Sequence, residues 1–351
     1  MKLRVALLPG DGIGPEVVDQ AALVLEAVAR KFSHSLETAT GLFGGAAIRA
    51  TGDPLPPESV TLAKSAGATL MGAAGHPDFD SAPPDKRPEK GLLRLRTELA
   101  VYANVRPAMC YPALESFSPL RAEIVHGTDM VIVRELTGGL YYGTPRGINR
   151  EGEPSAVNTM FYTRSEIERI ARVGFELARK RRKHLTSVDK SNVLENSQLW
   201  REIVTNMGAK EFPDIKLDHQ LVDSCAMLLI TDPRRFDVLV MENMFGDILS
   251  DEASVLAGSI GMLPSASLGE HTGLYEPVHG SAPDIAGKSI ANPLGAILSA
   301  AMMLRHSFNL EAEAKCVEDA VRTTIDSGVR TRDLKGTAST TDVGKAVLAA
   351  L

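Results

Sequence analysis

The sequence predicts an α/β fold, a mostly parallel sheet with helices on its faces. Short aliphatic runs recur at Leu3–Leu8, Ala68–Met71, Asp129–Val133, Leu185–Val188 and Val238–Met241. Each is followed by a polar or glycine-containing turn and then by an apolar rhythm of helical period. Hydrophobic residues make up 44% of the chain and aromatics only 5%, so the core that these runs build is mostly aliphatic.

The opening segment shows the pattern. Leu3–Leu8 reads as a buried strand, Pro9–Pro15 as a glycine-rich turn, and Glu16–Lys31 as a helix with Val17, Val18, Ala21, Leu25 and Val28 on one side. The turn, Gly10-Asp11-Gly12-Ile13-Gly14-Pro15, has the look of a dinucleotide fingerprint. The third glycine of GxGxxG would fall where Pro15 stands, so the ordinary Rossmann motif fails. No Gly-Lys-Ser/Thr follows, so a P-loop fails as well. A tight strand-to-helix turn with proline near the first helical position accounts for the segment. Asp78–Lys90, rich in proline and charge, reads as a surface loop, and Asn149–Tyr162 as an extended arm or hairpin. Ser165–Lys183 keeps a helical rhythm through Ile167, Ile170, Ala171, Phe175 and Ala178. Its closing Lys180-Arg181-Arg182-Lys183 reads as cations at a helix C-terminus rather than a targeting or nucleic-acid patch.

A length of 351 residues allows two domains or one large α/β unit. The formal charge of −6 argues against a general nucleic-acid binder. Cys110, Cys225 and Cys316 are odd in number and far apart, which fits a reducing cytoplasm and no disulfide framework. The apolar run at the N-terminus is too short for a signal peptide, and no segment approaches the length of a membrane span. The chain is expected to be soluble and cytoplasmic.

Several segments could carry chemistry. In Met244-Phe245-Gly246-Asp247-Ile248-Leu249-Ser250-Asp251, the two aspartates lie one helical turn apart, on one face. They are either a solvated acidic face, such as an N-terminal turn favoured by the helix dipole, or a pair held by a hard cation such as Mg²⁺ or Mn²⁺. The neighbouring Ile248, Leu249, Val255 and Leu256 imply a packed helix. Arg94, Arg96, Arg106 and Arg134 form an arginine set suited to clamping a dicarboxylate. Arg134 follows an apolar strand directly, at the carboxyl end where open α/β sheets bind ligands. Tyr141 sits in Gly138-Gly139-Leu140-Tyr141-Tyr142-Gly143, where the glycines can bring a phenol close to a ligand or simply shape a turn. Lys190 follows the strand Leu185–Val188 and can act as a base or be solvated. Asp223 stands among apolar residues and needs a partner, either a metal or a hydrogen-bonded neighbour. Glu276–Gly287, followed by Asn292-Pro293, is a Gly/Pro-rich loop with the backbone N–H groups, histidine and aspartate that could hold an adenosine.

Together these segments resemble the metal-dependent β-hydroxyacid oxidative decarboxylases, the family of isocitrate, isopropylmalate and tartrate dehydrogenases. The resemblance runs nearly end to end. It is most specific in the acidic helix, Arg134–Gly143, Val188–Leu194 and His279–Asn292. It implies a fold of two α/β domains around a large mixed sheet, not a Rossmann fold. Residues 1–101 and 258–351 would form the first domain, and 102–257 the second, which would hold the metal site, the dimer interface and the arm near 149–162. It also implies a homodimer with shared active sites and no nucleic-acid or membrane partner.

The implied reaction is the NAD-dependent oxidative decarboxylation of 3-isopropylmalate to 4-methyl-2-oxopentanoate, in leucine biosynthesis. Asp247 and Asp251 would bind Mg²⁺ or Mn²⁺ with Asp223 of the other subunit. Arg96, Arg106 and Arg134 would hold the malate carboxylates, with Asp223 close by. Lys190, also from the other subunit, would help remove the hydroxyl proton, and Tyr141 would protonate C3. Leu92, Leu93 and Val193 would wall the isopropyl group. His76, Glu89, Asn192, Glu276, His279, Gly280, Ser281, Ala282, Asp284, Ile285 and Asn292 would contact the cofactor. Asp284 would accept the ribose hydroxyls and repel a 2′-phosphate, which implies NAD rather than NADP. The chain departs from the family at Gly75-His76-Pro77-Asp78-Phe79-Asp80, where relatives often have Gly-Gly-Pro-Lys-Trp-Asp, and at Ala257, where proline is common.

Overall fold

A computed structural model describes residues 1–83 and 86–351. All five aliphatic runs form strands. In chain order the strands are β1 (Lys2–Gly10), β2 (Ser35–Thr40), β3 (Ala68–Ala73), β4 (Val101–Met109), β5 (Asp129–Glu135), β6 (Gly147–Asn149), β7 (Ser155–Val157), β8 (His184–Asp189), β9 (Lys216–Leu221), β10 (Val238–Met241), β11 (Pro264–Gly269) and β12 (Gly273–Pro277). Ten make one large mixed sheet, and β6 and β7 pair antiparallel as the hairpin of the arm.

The chain divides into two compact units. The first, Met1–Val101, Tyr111–Pro119 and Ala257–Leu351, carries the strand order β2-β1-β3-β12-β11. All its neighbouring pairs are parallel except β11 with β12. Helix Leu294–Phe308 is apolar nearly all round and buries every residue from Leu294 to Leu304, as a core helix must. Helix Gly14–Lys31 starts on Pro15 and buries Val17, Val18, Ala21, Val24, Leu25 and Val28. Tyr111–Pro119, which the sequence reading placed in the second domain, clusters with the first unit. The reason is local packing: Phe117 lies beneath the Arg330 guanidinium, 4.8 Å from its ring centre, and beneath the Lys335 ammonium, 5.7 Å away.

The second unit, Tyr102–Cys110 and Leu120–Leu256, carries the order β4-β5-β10-β8-β9, parallel except for β4 against β5. Its core joins Met130 and Ile132 of β5, Leu239 and Met241 of β10, Cys225 and Leu229, and Phe245, Leu249 and Ala253 from one face of helix Asn243–Ser254. Each fully buried aliphatic or aromatic side chain of this kind contributes about 1.5–3 kcal/mol. The opposite face is less enclosed than the sequence implied. Ile248 is 58% and Val255 38% exposed, because only every third or fourth position of this helix meets the sheet.

Two further boundaries differ from the sequence reading. The loop read across Asp78–Lys90 ends early, since Arg87 caps a helix that begins at Pro88 and runs to Glu98; residues 84 and 85 lie outside the described residues. The helix read to Lys183 is closed at its start by a Thr163–Glu166 capping box and stops at Arg179. Arg181 turns back to bond the Asp129 carboxylate at 2.8 Å and the buried Asp237 at 2.8 Å, and the Arg182 backbone N–H also donates to Asp237. The basic cluster is therefore a clasp across the starts of β5 and β10. Among the described residues no helix is long and apolar enough to cross a membrane.

Asp237 is 1% exposed and accepts from Arg181 and from the Arg182 backbone. Asp237→Ala strands these donors and is expected to cost on the order of 3 kcal/mol. Urea unfolding measures this; a loss below a quarter of that figure would refute the clasp.

Candidate active site

The carboxyl ends of β5 and β10 build the centre of the second unit. Glu242, directly after β10, caps helix Asn243–Ser254 by accepting the Phe245 N–H at 2.7 Å and the Met244 N–H at 3.1 Å. The cap fixes the helix frame, so Asp247 and Asp251 sit in its second turn and beyond, not in the first turn where the helix dipole would explain them. Arg134, in the last turn of β5 pairing, is 3% exposed. Its Nε and Nη2 donate to Asn243 Oδ1 at 3.0 and 2.8 Å, and Nη1 donates to Asp247 Oδ1. Gly246 makes the approach possible, since a Cβ there would stand 2.5 Å from Arg134 Cγ.

Tyr141, in a short 3₁₀ turn, donates its hydroxyl to the other oxygen of Asp247 at 2.8 Å. Arg106, on β4, donates to Ser250 Oγ at 2.6 Å and to Asp251 Oδ1 at 3.3 Å, while Asn104 accepts from its Nε at 2.7 Å. Two guanidinium groups and a phenol thus surround two carboxylates. Burial, then the Asp247 hydrogen bond, pushes the Tyr141 phenol up to about 12. Partial burial raises the Asp251 carboxyl, with the like charge of Asp247 adding to the rise and Arg106 opposing it. Burial, not a missing counter-charge, is the largest cause, since two guanidinium groups face the two carboxylates. An all-oxygen, partly buried carboxylate pair suits a hard dication such as Mg²⁺ or Mn²⁺.

Lys190 and Asp223 form a separate pair. Lys190 Nζ donates to Asp223 Oδ1 at 2.6 Å and holds that carboxyl below the usual range. The sequence reading set Asp223 among apolar neighbours. In the structure it is exposed, because helix Val222–Thr231 turns Cys225 and Leu229 inward and Asp223 outward. Val193 and Asn192, in the turn after Lys190, are exposed as well. Among the described residues no three histidine, cysteine, aspartate or glutamate side chains converge as a metal site.

The remaining expected residues belong to the first unit. Arg94 and Arg96 share one helix but separate in role. Arg94 is committed to Asp53 at 2.8 Å and to the Leu55 carbonyl. Arg96, 7% exposed, donates to Glu276 at 3.0 Å, and its Nε is buried without a partner. Leu92 and Leu93 are half-buried on the same helix and Glu89 is exposed. His76 Nδ1 accepts the Asp78 N–H at 3.2 Å.

Asp11 is a residue the sequence reading did not single out. Its carboxylate accepts from the backbone N–H groups of Gly45, Ala46 and Gly75 at 2.8–2.9 Å, so it ties three turns together. Beside it, the Ile13 N–H donates to the Ser281 carbonyl at 2.8 Å, and a Cβ on Gly12 would stand 1.9 Å from that oxygen. The Gly10–Gly14 turn thus clamps the loop expected to hold adenosine. Only the buried contact partners reveal this; the turn's sequence suggests no more than a tight strand-to-helix turn.

In that loop His279 is 9% exposed, and burial lowers its pKa, so it is neutral. Nδ1 bonds the Gly280 carbonyl at 2.9 Å, which leaves Nε2 as a buried acceptor with no partner. An amino group of a purine would satisfy it, so the loop fits a nucleoside. Gly280 and Asp284 are exposed, Ala282 and Ile285 half-buried, and Ser281 9% exposed. Asn292 is already engaged at both ends, accepting the Leu294 N–H at 3.0 Å and donating to Asp333 at 3.0 Å.

Residues 4–347 match the family model described as isocitrate/isopropylmalate dehydrogenase. The chain is 60% identical to the 3-isopropylmalate dehydrogenase of Bacillus subtilis strain 168, covering 95% of this chain and 92% of that protein. It is 57% identical to the 3-isopropylmalate dehydrogenase of Aquifex aeolicus strain VF5, again over 95% and 92%. Among solved structures it resembles an isocitrate dehydrogenase from Methylococcus capsulatus, with a TM-score of 0.88, 37% identity and 99% of each chain covered. A β-strand order that is not Rossmann-like, the arginine-flanked acidic helix and an end-to-end match lead to one conclusion: the chain belongs to the isocitrate/isopropylmalate dehydrogenase family.

Proposed function

We propose that this chain oxidises and decarboxylates 3-isopropylmalate to 4-methyl-2-oxopentanoate and CO₂ with NAD, in leucine biosynthesis, as a cytoplasmic homodimer. The observation that carries the reading is the hydrogen-bonded cluster of Arg106, Arg134, Tyr141, Asp247 and Asp251. Relatives named 3-isopropylmalate dehydrogenase over 95% of the chain support the substrate.

Asp247 and Asp251 would hold Mg²⁺ or Mn²⁺, joined by Asp223 of a second copy. The dication supplies a positive charge beside the C2 oxygen, and NAD supplies the acceptor for the C2 hydride. Arg96, Arg106 and Arg134 bind the two carboxylates and set the face from which C2 is oxidised. Lys190, as the neutral amine, accepts the C2 hydroxyl proton, and Asp223, 2.6 Å away, holds the ammonium that results. Oxidation places a ketone β to the C3 carboxylate, which then leaves as CO₂. Tyr141 keeps its proton far above neutral pH and donates it to C3.

Leu92, Leu93 and Val193 present hydrocarbon to the C3 substituent, which suits isopropyl and would leave a third carboxylate desolvated and unpaired. His279 Nε2 accepts from adenine, and Asp284 accepts from the ribose while repelling a 2′-phosphate. His76, Glu89, Asn192, Glu276, Gly280, Ser281, Ala282, Ile285 and Asn292 complete the cofactor contacts. The shared-site dimer is supported by apolar side chains on the surface of the second unit, where Val193 is 61%, Met227 68% and Ile248 58% exposed. The cysteines form no disulfide among the described residues, which fits the compartment.

A panel of 3-isopropylmalate, isocitrate, tartrate and malate with NAD or NADP, with and without Mg²⁺, decides the substrate. The highest kcat/KM is expected for 3-isopropylmalate with NAD and Mg²⁺; a preference for isocitrate or NADP would overturn the apolar wall or the Asp284 argument. Tyr141→Phe is expected to lower kcat by about 10²–10⁴-fold, the usual worth of a general acid, with KM little changed. Wild-type kcat in that variant would remove Tyr141 from the chemistry.

A further inference from the structure

Behind Arg134 lies a buried acidic cluster that the reaction does not use. Glu135 is 0% and Glu242 4% exposed. The hydroxyl of Tyr162, itself 6% exposed, stands 3.3 Å from Oε2 of each. It also accepts the Asn243 backbone N–H at 3.0 Å. Gly139 makes room for it: φ is +71° there, and a Cβ would stand 2.5 Å from the Tyr162 oxygen and 3.2 Å from Glu242. The glycines before Tyr141 thus also make room for a second phenol, that of Tyr162.

Proton counting restricts the cluster. A phenol has one hydrogen and two lone pairs. The Asn243 N–H occupies one lone pair, which leaves one donor and one acceptor to face two carboxyl groups. Attraction to both requires one of them to carry a proton and donate it to the phenol. Glu135 is the better anion, since it accepts from the Thr137 N–H at 3.0 Å, the Thr137 hydroxyl at 3.1 Å, the Gly138 N–H at 2.7 Å and Arg169 at 3.5 Å. Glu242 accepts two backbone N–H groups, and among the described residues no cation pairs with it. Asp189 lines the same small cavity as Glu242 and is itself held by Arg201 at 2.8 and 2.9 Å. Burial, with the charge of Glu135 adding to it, raises the Glu242 carboxyl.

We propose that Glu135, Tyr162 and Glu242 share one proton at neutral pH, with Glu242 the neutral acid, and that the cluster is a positioning unit for Arg134. The link is Asn243. Its backbone N–H bonds the phenol, its amide donates to the Gly138 carbonyl at 3.1 Å, and its Oδ1 takes two donors of the Arg134 fork. Ionising Glu242 would set two negative charges against one phenol, only Glu135 having a cation partner among the described residues, and push the start of the helix away from it. The effect on substrate rests on the proposed dicarboxylate role of Arg134; the shared proton does not.

Infrared difference spectra at pH 7 test the proton directly. Wild type minus Glu242→Gln should show the C=O stretch of a protonated carboxyl group, and Glu135→Gln should lose the same band as Glu242 ionises. No such band, or a band that survives in either folded variant, overturns the shared proton. Kinetics test the positioning. In wild type KM for 3-isopropylmalate should rise towards alkaline pH, in Glu242→Gln it should stay flat, and Tyr162→Phe should raise KM about fivefold with kcat nearly unchanged, the worth of one hydrogen bond. Coincident KM profiles for wild type and Glu242→Gln overturn the positioning role. Absence of turnover on 3-isopropylmalate in wild type would instead refute the substrate, and leaves the infrared result standing.

Discussion

The structure turns on the burial of Arg134. A guanidinium cannot lose its charge, so it enters the interior only with its donors matched. Here Asn243 takes two donors and Asp247 a third, and both acceptors lie on the same helix. That requirement sets the rest. The helix must pass close enough for contact, hence Gly246; it must start in a fixed place, hence the Glu242 cap; and its aspartates must face the strand ends. The like charges of Asp247 and Asp251 are tolerable because Arg106 and Arg134 stand against them.

The same constraint explains where glycine appears. Gly139 and Gly246 are both points at which a side chain from a strand end or a neighbouring loop needs the space a Cβ would fill. In sequence such residues read as loosening elements. In the fold they allow close approaches, between Tyr162 and the Gly139 turn and between Arg134 and the acidic helix.

Fold class and the principal strands were legible because consecutive aliphatic residues in a two-sided sheet leave a strong signal. β2 and β9 were not, because they end the strand order, where a strand is held by backbone pairing on one side and its side chains are largely polar or exposed. β11 is buried yet built from Ser265, Ala266 and Ser267, so small size rather than hydropathy lets it pack. The acidic pair, Arg134 and Tyr141 stood out by spacing and position. Pairings did not. Arg94 and Arg96 are chemically identical and two residues apart, but a helix sends them to opposite sides, one to Asp53 and one to Glu276. Asp11 read as one residue of a tight strand-to-helix turn, and only the three N–H groups that converge on it reveal a tie.

The unfavourable groups of the second unit cluster at the carboxyl ends of β5 and β10, and this is a consequence of sheet geometry rather than coincidence. Inside a parallel sheet every backbone group is paired, and both faces carry helices, so a charge there has no partner to reach. At the strand ends the chain turns into helices whose first N–H groups are free to bind acceptors. Glu135 accepts the N–H groups of Thr137 and Gly138 just beyond its strand, and Glu242 accepts those of Phe245 and Met244 just inside the next helix. Buried carboxylates are therefore tolerable at strand ends, as Asp189 at the end of β8 and Asp237 before β10 also show, and Glu135 and Glu242 supply the fixed negative frame against which Arg134 is held. The aliphatic interior of Met130, Ile132, Leu239 and Met241 lies further back along the same strands. It is the rigid base that lets strained, charged and glycine-dependent contacts keep their geometry.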